Sequence, residues 1–209
     1  MTLSLSPILD LMLSFVCLFW GWRLLSKEHD LLGVGYLMIA PAAFIGFFDM
    51  GGMTEFRWIH DFLSAVSRLI GTLAMGLGVV ALLMGQRKQR YGSYALSIFG
   101  PVLTYYFYVI NKGPMEGLYI WSGSIFLIAI LALAVRLWMR GQVRYALLSI
   151  SAILLTAYVG LFLHTLPKGL PLRPVDILHT SLMLSYTAIY YSVTAYAKLK
   201  YESVQASKY

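Results

Sequence analysis

Residues 115–139 read MEGLYIWSGSIFLIAILALAVRLWM, and between Glu116 and Arg136 no residue carries a charge. A hydrocarbon core about 30 Å thick takes about 20 apolar residues at 1.5 Å each, so this stretch is long enough to cross a bilayer as one helix. The run is continuous rather than alternating in pieces of about 10 residues, which excludes a β-barrel strand.

Working outward, six more apolar runs stand between charged or Pro/Gly-rich breaks: Pro7 to Ser26, Leu31 to Met50, Trp58 to Gly85, Ser93 to Asn111, Val143 to Leu166, and Val175 to Ala197. Charges and Pro/Gly clusters bound the runs. The connections are short, so the pattern predicts an all-α integral membrane protein, one up-and-down domain of seven transmembrane helices over residues 1–209. Composition agrees: 59% of the 209 residues are hydrophobic and 12% charged, the mean hydropathy is +0.74, and a soluble domain carries about 25% charged residues. The first nine residues hold no Lys or Arg, so a cleavable signal peptide is not expected and the first helix stays as an anchor. No internal repeat is visible, which counts against the common transporter folds. Pro41 and Gly100-Pro101 are expected to kink helices two and four.

Lys and Arg fall unequally on the two sides. One set of ends holds Arg23, Lys27, Arg87, Lys88, Arg90, Arg136, Arg140, Arg144, Lys198, Lys200 and Lys208, and the other only Arg57, Lys112, Lys168 and Arg173. The positive-inside rule then places the N-terminus outside and the C-terminus in the cytoplasm. The same bias accounts for the net charge of +7 without nucleic acid as a partner. Cys17 is the single cysteine, so neither an intramolecular disulfide nor a cysteine-based metal site can form.

Asp10, Asp49, Glu55, Asp61, Glu116 and Asp176 lie on or near the outer side, with His60, His164 and His179, while only His29 is cytoplasmic. Arg68 starts about 15 Å down helix three, near the midplane, where a charge must be paired or reach a water-filled cavity. The expectation is a buried ion pair of Arg68 with Asp10, Asp49 and Asp61 being its other carboxylate candidates. On helix seven, Asp176, His179, Met183, Tyr186 and Tyr190 recur at spacings of three and four and share one face. His164 and Tyr186 are expected in the same outer cavity.

Zinc takes N and O ligands tetrahedrally and keeps a position for water. Asp49, His60 or Asp61, and His179 would supply three ligands from three helices, and Asp61 or Asp176 would accept the proton of the bound water. Neither HExxH nor HxxxH is present. A polar cavity without metal and purely structural pairing fit the same residues. No Lys lies within helix seven for a retinal Schiff base, and no His pair is placed for a bis-His haem.

Seven spans with an outer N-terminus, polar residues from the end of helix two to the start of helix three, PILDLML in helix one and VDILHTSLM in helix seven resemble the CREST superfamily. That superfamily includes alkaline ceramidases and progestin/adipoQ-type receptors, and the pattern is nearest to its small, uncharacterised bacterial members. The resemblance implies a zinc-dependent hydrolase of a lipid amide or ester in a bacterial inner membrane, with membrane lipid as partner. The superfamily's helix-two Ser and His correspond here to Ile45 and Asp49, and its helix-seven HxxxH is reduced to Val175 and His179. The alternatives are a non-enzymatic module that binds or transports a small molecule, lipid or proton with Arg68 as charge anchor, and a structural subunit of a membrane complex.

A cysteine placed at Lys88 is expected to react with an impermeant thiol reagent only from the cytoplasmic side, and one at Lys168 only from outside. Labelling of the Lys88 position from outside would reverse the orientation.

Overall fold

The computed structural model describes residues 5–86, 89–111, 113, 115–162 and 173–206. Among these the chain is all-helical, with seven helical runs and no strand: α1 Ser6–Leu25, α2 Asp30–Met50, α3 Thr54–Met84, α4 Arg90–Ile110, α5 Glu116–Met139, α6 Val143–Phe162 and α7 Pro174–Ala206. The first five are long and apolar enough to cross a membrane, and α6 carries a shorter apolar stretch, Val143–Tyr158.

The ends follow local chemistry. Pro7 sits in the first turn of α1, where a missing N–H costs nothing. α3 opens in a 3-10 turn, Thr54–Phe56, a few residues before the expected Trp58. It stops at Gly85, whose φ of 89° is the left-handed cap that glycine adopts freely. Lys200 reaches across from α7 and donates to the exposed carbonyls of that end, Leu82 O at 2.9 Å and Leu83 O at 2.8 Å. Desolvation, with Arg140 and Arg136 nearby, holds the Lys200 ammonium below the ordinary lysine range. α7 runs on to Ala206, past the expected Ala197, because no Gly or Pro follows to stop it. Pro41 and Pro101 both lie inside helices that continue through them.

Two segments depart from α geometry. Ser67–Gly71 in α3 and Tyr106–Ile110 at the end of α4 are π-helical. The wider turn in α3 frees the Arg68 carbonyl, which accepts hydrogen bonds from the hydroxyls of Thr72 and of Ser122 on α5, the latter at 3.0 Å.

The helices pack as a ring in the order α1, α2, α3, α5, α6, α7 and back to α1, with α4 lying outside it against α2 and α3. Small residues set the closest approach. A Cβ on Gly35 would stand 2.8 Å from the Gly71 carbonyl and overlap the Met75 side chain, and one on Gly78 would stand 2.8 Å from Leu32 N. This is the small-residue contact by which membrane helices bring their backbones together. Between α6 and α7 serines do the joining: Ser192 donates to Tyr145 O at 3.0 Å and Ser185 to Ala152 O at 3.3 Å. Outward faces carry large apolar side chains, among them Phe15, Ile128 and Leu154, each more than 60% exposed. Apolar residues turned outward on this scale suit lipid rather than water.

Gly35→Val is expected to lower stability by about 2 kcal/mol through overpacking, measured as thermal unfolding in detergent. Gly123→Val, where a Cβ meets nothing within 4 Å, is the control and is expected to change stability by less than about 1 kcal/mol.

Candidate functional site

The ring closes between the first and last helices, and two buried polar pairs make the closure. The Ser6 hydroxyl on α1 donates to Asp176 Oδ1 on α7 at 2.6 Å. One turn along both helices, His179 Nδ1 stands 3.3 Å from Asp10 Oδ1, a close polar approach in which Nδ1 makes no hydrogen bond. Ser6 and Asp10 are four residues apart and Asp176 and His179 three, so each helix presents one face to the other. Further down the seam, the Trp20 and Tyr190 rings stack with centroids 3.8 Å apart. The pairings advance together along both chains, so α1 and α7 run parallel.

Asp10 is 1% exposed, and its second oxygen, Oδ2, has no hydrogen-bond partner. That oxygen faces α2 at Gly46. A Cβ added there would lie 2.8 Å from Asp10 Oδ2 and 3.0 Å from His60 Nε2. The two atoms are therefore no more than about 6 Å apart, around a small space that only glycine leaves open. His60 is fixed from its other side: Nδ1 donates to Asp49 Oδ2 at 3.2 Å. The other Asp49 oxygen lies 3.6 Å from Arg57 Nε. This is the outer-sphere arrangement in which a carboxylate sets the tautomer of a histidine and leaves Nε2 with a lone pair. A carboxylate oxygen and an imidazole lone pair facing one space are both acceptors, which a cation, a shared proton or a bridging water satisfies.

A cavity of about 770 Å³ opens beside these groups. His60, Asp61, Ser64 and Arg68 line it from α3, Tyr108 from α4, Tyr119 from α5 and His179 from α7, with Met50, Met115, Val175 and Leu178 as apolar wall. Both π-helical segments contribute to it, one through Arg68 and the other through Tyr108. Single-turn π segments of this kind gather at functional sites.

The structure thus brings His60, His179 and Asp10 together, with Asp49 behind His60, and puts Asp61 on the cavity wall. Asp49 is the partner of His60 rather than a third group pointing at the same space. Among the described residues no three His, Cys, Asp or Glu stand as a ready-formed metal-binding group. Asp176 is 2% exposed and both its oxygens are engaged, by Ser6 and by the Arg173 N–H at 3.1 Å. Its place is the seam, not the cavity lining. The expected pair of Arg68 with Asp10 is corrected: Asp10 is taken by His179, while Arg68 lies eight residues past His60, about 12 Å further along α3, exposed to the cavity. Tyr186 is corrected likewise. It is buried in the core, its ring 5.7 Å from that of Tyr36, whose hydroxyl donates to the Tyr186 carbonyl at 2.6 Å. His164 lies outside the described residues.

Sequence reasoning passed over Ser6, Gly46 and Tyr119. The Ser6–Asp10 spacing of four, set beside Asp176–His179, was a readable signal for the first; nothing in IGFFD marks Gly46. Comparison with protein families, with curated proteins and with solved structures returned no match for this chain.

Ser6→Ala would leave a buried carboxylate oxygen short of a donor and is expected to cost about 2 kcal/mol of stability, read as a lowered Tm. Ser6→Thr, which keeps the hydroxyl, is expected to restore most of it.

Proposed function

We propose that this protein is a membrane-embedded hydrolase of a lipid amide or ester, with its reacting centre where Asp10, His60 and His179 meet beside Gly46. The observation that carries the reading is the buried Asp10 Oδ2, which has no hydrogen-bond partner and shares one small space with His60 Nε2. A zinc ion here would need His60, His179 and Asp10 to close on it, since among the described residues they form no ready-made metal group. His60, His179 and Asp10 would hold it, in place of the Asp49, His60 and His179 set expected from the sequence. A bound zinc ion supplies a water whose pKa is lowered to about 7.

The chain's own residues have separable roles in this reading. Asp49 holds the His60 ring so that Nε2 faces inward. Asp61 stands next to His60 on the cavity wall and is the group placed to take a proton from water. Asp176 positions α7, and through it His179, by its bond to Ser6. The apolar wall of Met50, Met115, Val175 and Leu178 receives the acyl part of the substrate.

The site lies at the end of the bundle that the Lys/Arg count assigns to the outside. Seven spans with the two termini on opposite sides are supported by the parallel run of α1 and α7, which an alternating bundle gives when five helices intervene, and the Lys/Arg count is what sets the N-terminus outside. Localisation to a bacterial inner membrane belongs to the same proposal.

Purified full-length protein, loaded with zinc and dialysed, is expected to retain about one zinc per chain by elemental analysis. His60→Ala and Asp10→Ala are each expected to lose it, and Asp49→Ala to weaken it about 10-fold or more. A wild-type chain that retains no metal would remove the hydrolase reading and leave a non-enzymatic binding cavity.

A further inference from the structure

Arg68 is the residue that the hydrolytic centre does not use. It stands near the middle of α3, on a helix long and apolar enough to cross the membrane, with its side chain on the cavity wall. Among the described residues no carboxylate forms an ion pair with it; the pairs at this end join Arg57 and His60 to Asp49 and His179 to Asp10. Asp61 shares the cavity seven residues away, about 10 Å along the axis, but forms no ion pair with the guanidinium. A charge at this depth requires a counter-ion or water.

The surroundings hold Arg68 in place. Its carbonyl accepts from Thr72 and Ser122, and the Thr72 hydroxyl in turn lies 3.1 Å from the Ser122 hydroxyl. This small network ties the π-helical segment to α5. The backbone under the guanidinium is thereby fixed before any ligand arrives, which is the preorganisation that binding rewards. The phenols of Tyr119 and Tyr108 share the cavity and are donors as well. Ser64, Arg68, Tyr108 and Tyr119 on this wall can all donate, and the apolar side chains of the lining are on hand for a hydrocarbon portion.

We propose that Arg68 anchors an anionic oxygen group, a phosphate or carboxylate, carried by the ligand that fills this cavity, with Tyr119 and Tyr108 as additional donors. The fork of a guanidinium matches two oxygens of such a group at once. The inference rests on the reading of this cavity as the substrate site and narrows the substrate to an anionic lipid. A free anion is the other source of the same chemistry. It does not need the metal, because Arg68 lies about 12 Å along the helix from His60.

The test uses the full-length protein in neutral detergent with a chelator present throughout, and measures binding by ligand-induced thermal shift and by native mass spectrometry. Three probes are compared: short-chain phosphatidylglycerol, the diacylglycerol of the same chains, and inorganic phosphate. The phospholipid is expected to bind saturably and to bind at least about tenfold more weakly to Arg68→Gln. Arg68→Lys, which keeps the charge without the fork, is expected to lie between the two. Arg144→Gln, at the opposite end of the bundle, is expected to match wild type. Arg68-dependent binding of inorganic phosphate without the phospholipid would uphold the anion site and identify its source as a free anion. Equal affinity of wild type for diacylglycerol and phosphatidylglycerol would overturn the proposal, and that comparison needs no variant. An Arg144→Gln loss as large as that of Arg68→Gln would also overturn it, since it would reduce the effect to general surface charge. Because the metal is chelated here, the two readings fail separately: Arg68-dependent binding by a chain that retains no zinc after loading and dialysis removes the hydrolase reading alone, and a zinc-retaining chain whose phospholipid binding is indifferent to Arg68 removes this one alone.

Discussion

The seam between α1 and α7 is the constraint on which the rest of this structure hangs. Neighbouring helices in a bundle are held together by their connections as well as by packing, but the first and last have only side chains. Here those side chains are Ser6 with Asp176 and Asp10 with His179, all buried. Buried polar groups are costly unless paired, so the Ser6–Asp176 hydrogen bond, with Asp10 and His179 in close approach one turn on, sets the axial register of the two helices. With that register set, His179 arrives at the level of His60, and the cavity has its second histidine.

Around this closure the packing follows a division of labour that the residue types explain. Glycines bring α2 and α3 into backbone contact, serines tie α6 to α7, and long apolar side chains face outward. None of these contacts depends on a hydrophobic driving force between helices, which lipid removes. The least covered helix, α4, lies outside the ring, yet it supplies Tyr108 to the cavity through its π-helical end.

The helices were legible because each bilayer crossing needs an uninterrupted apolar run, and such runs are written plainly between charges. α7 was legible as a helix from its stripe of Asp176, His179, Met183 and Tyr186, although its polar content keeps it out of the strongly apolar group. The site was legible in residue types more than in partners. Asp10 read as the counter-ion of Arg68 because depth along separate helices was estimated without the rotation and tilt that packing imposes; in the folded chain His179 is nearer. Gly46 was invisible, since a glycine matters only for what stands opposite it. The π-helical segments were also unreadable, because one additional residue in a turn leaves no periodic signature in so short a stretch.

The partnership of first and last helices also bears on how the chain is made. Membrane proteins emerge N-terminus first, and α1 enters the bilayer carrying a carboxyl group at Asp10 whose proper companion is nearly 170 residues away in the chain. Until α7 is synthesised, that group has to be sheltered by water, by the insertion machinery, or by α2, which packs extensively on α1. A shortened chain that ended before α7 would not be a smaller version of this protein. It would be an arrested intermediate with an unmatched acid facing the bilayer, a fit substrate for the membrane's quality-control proteases.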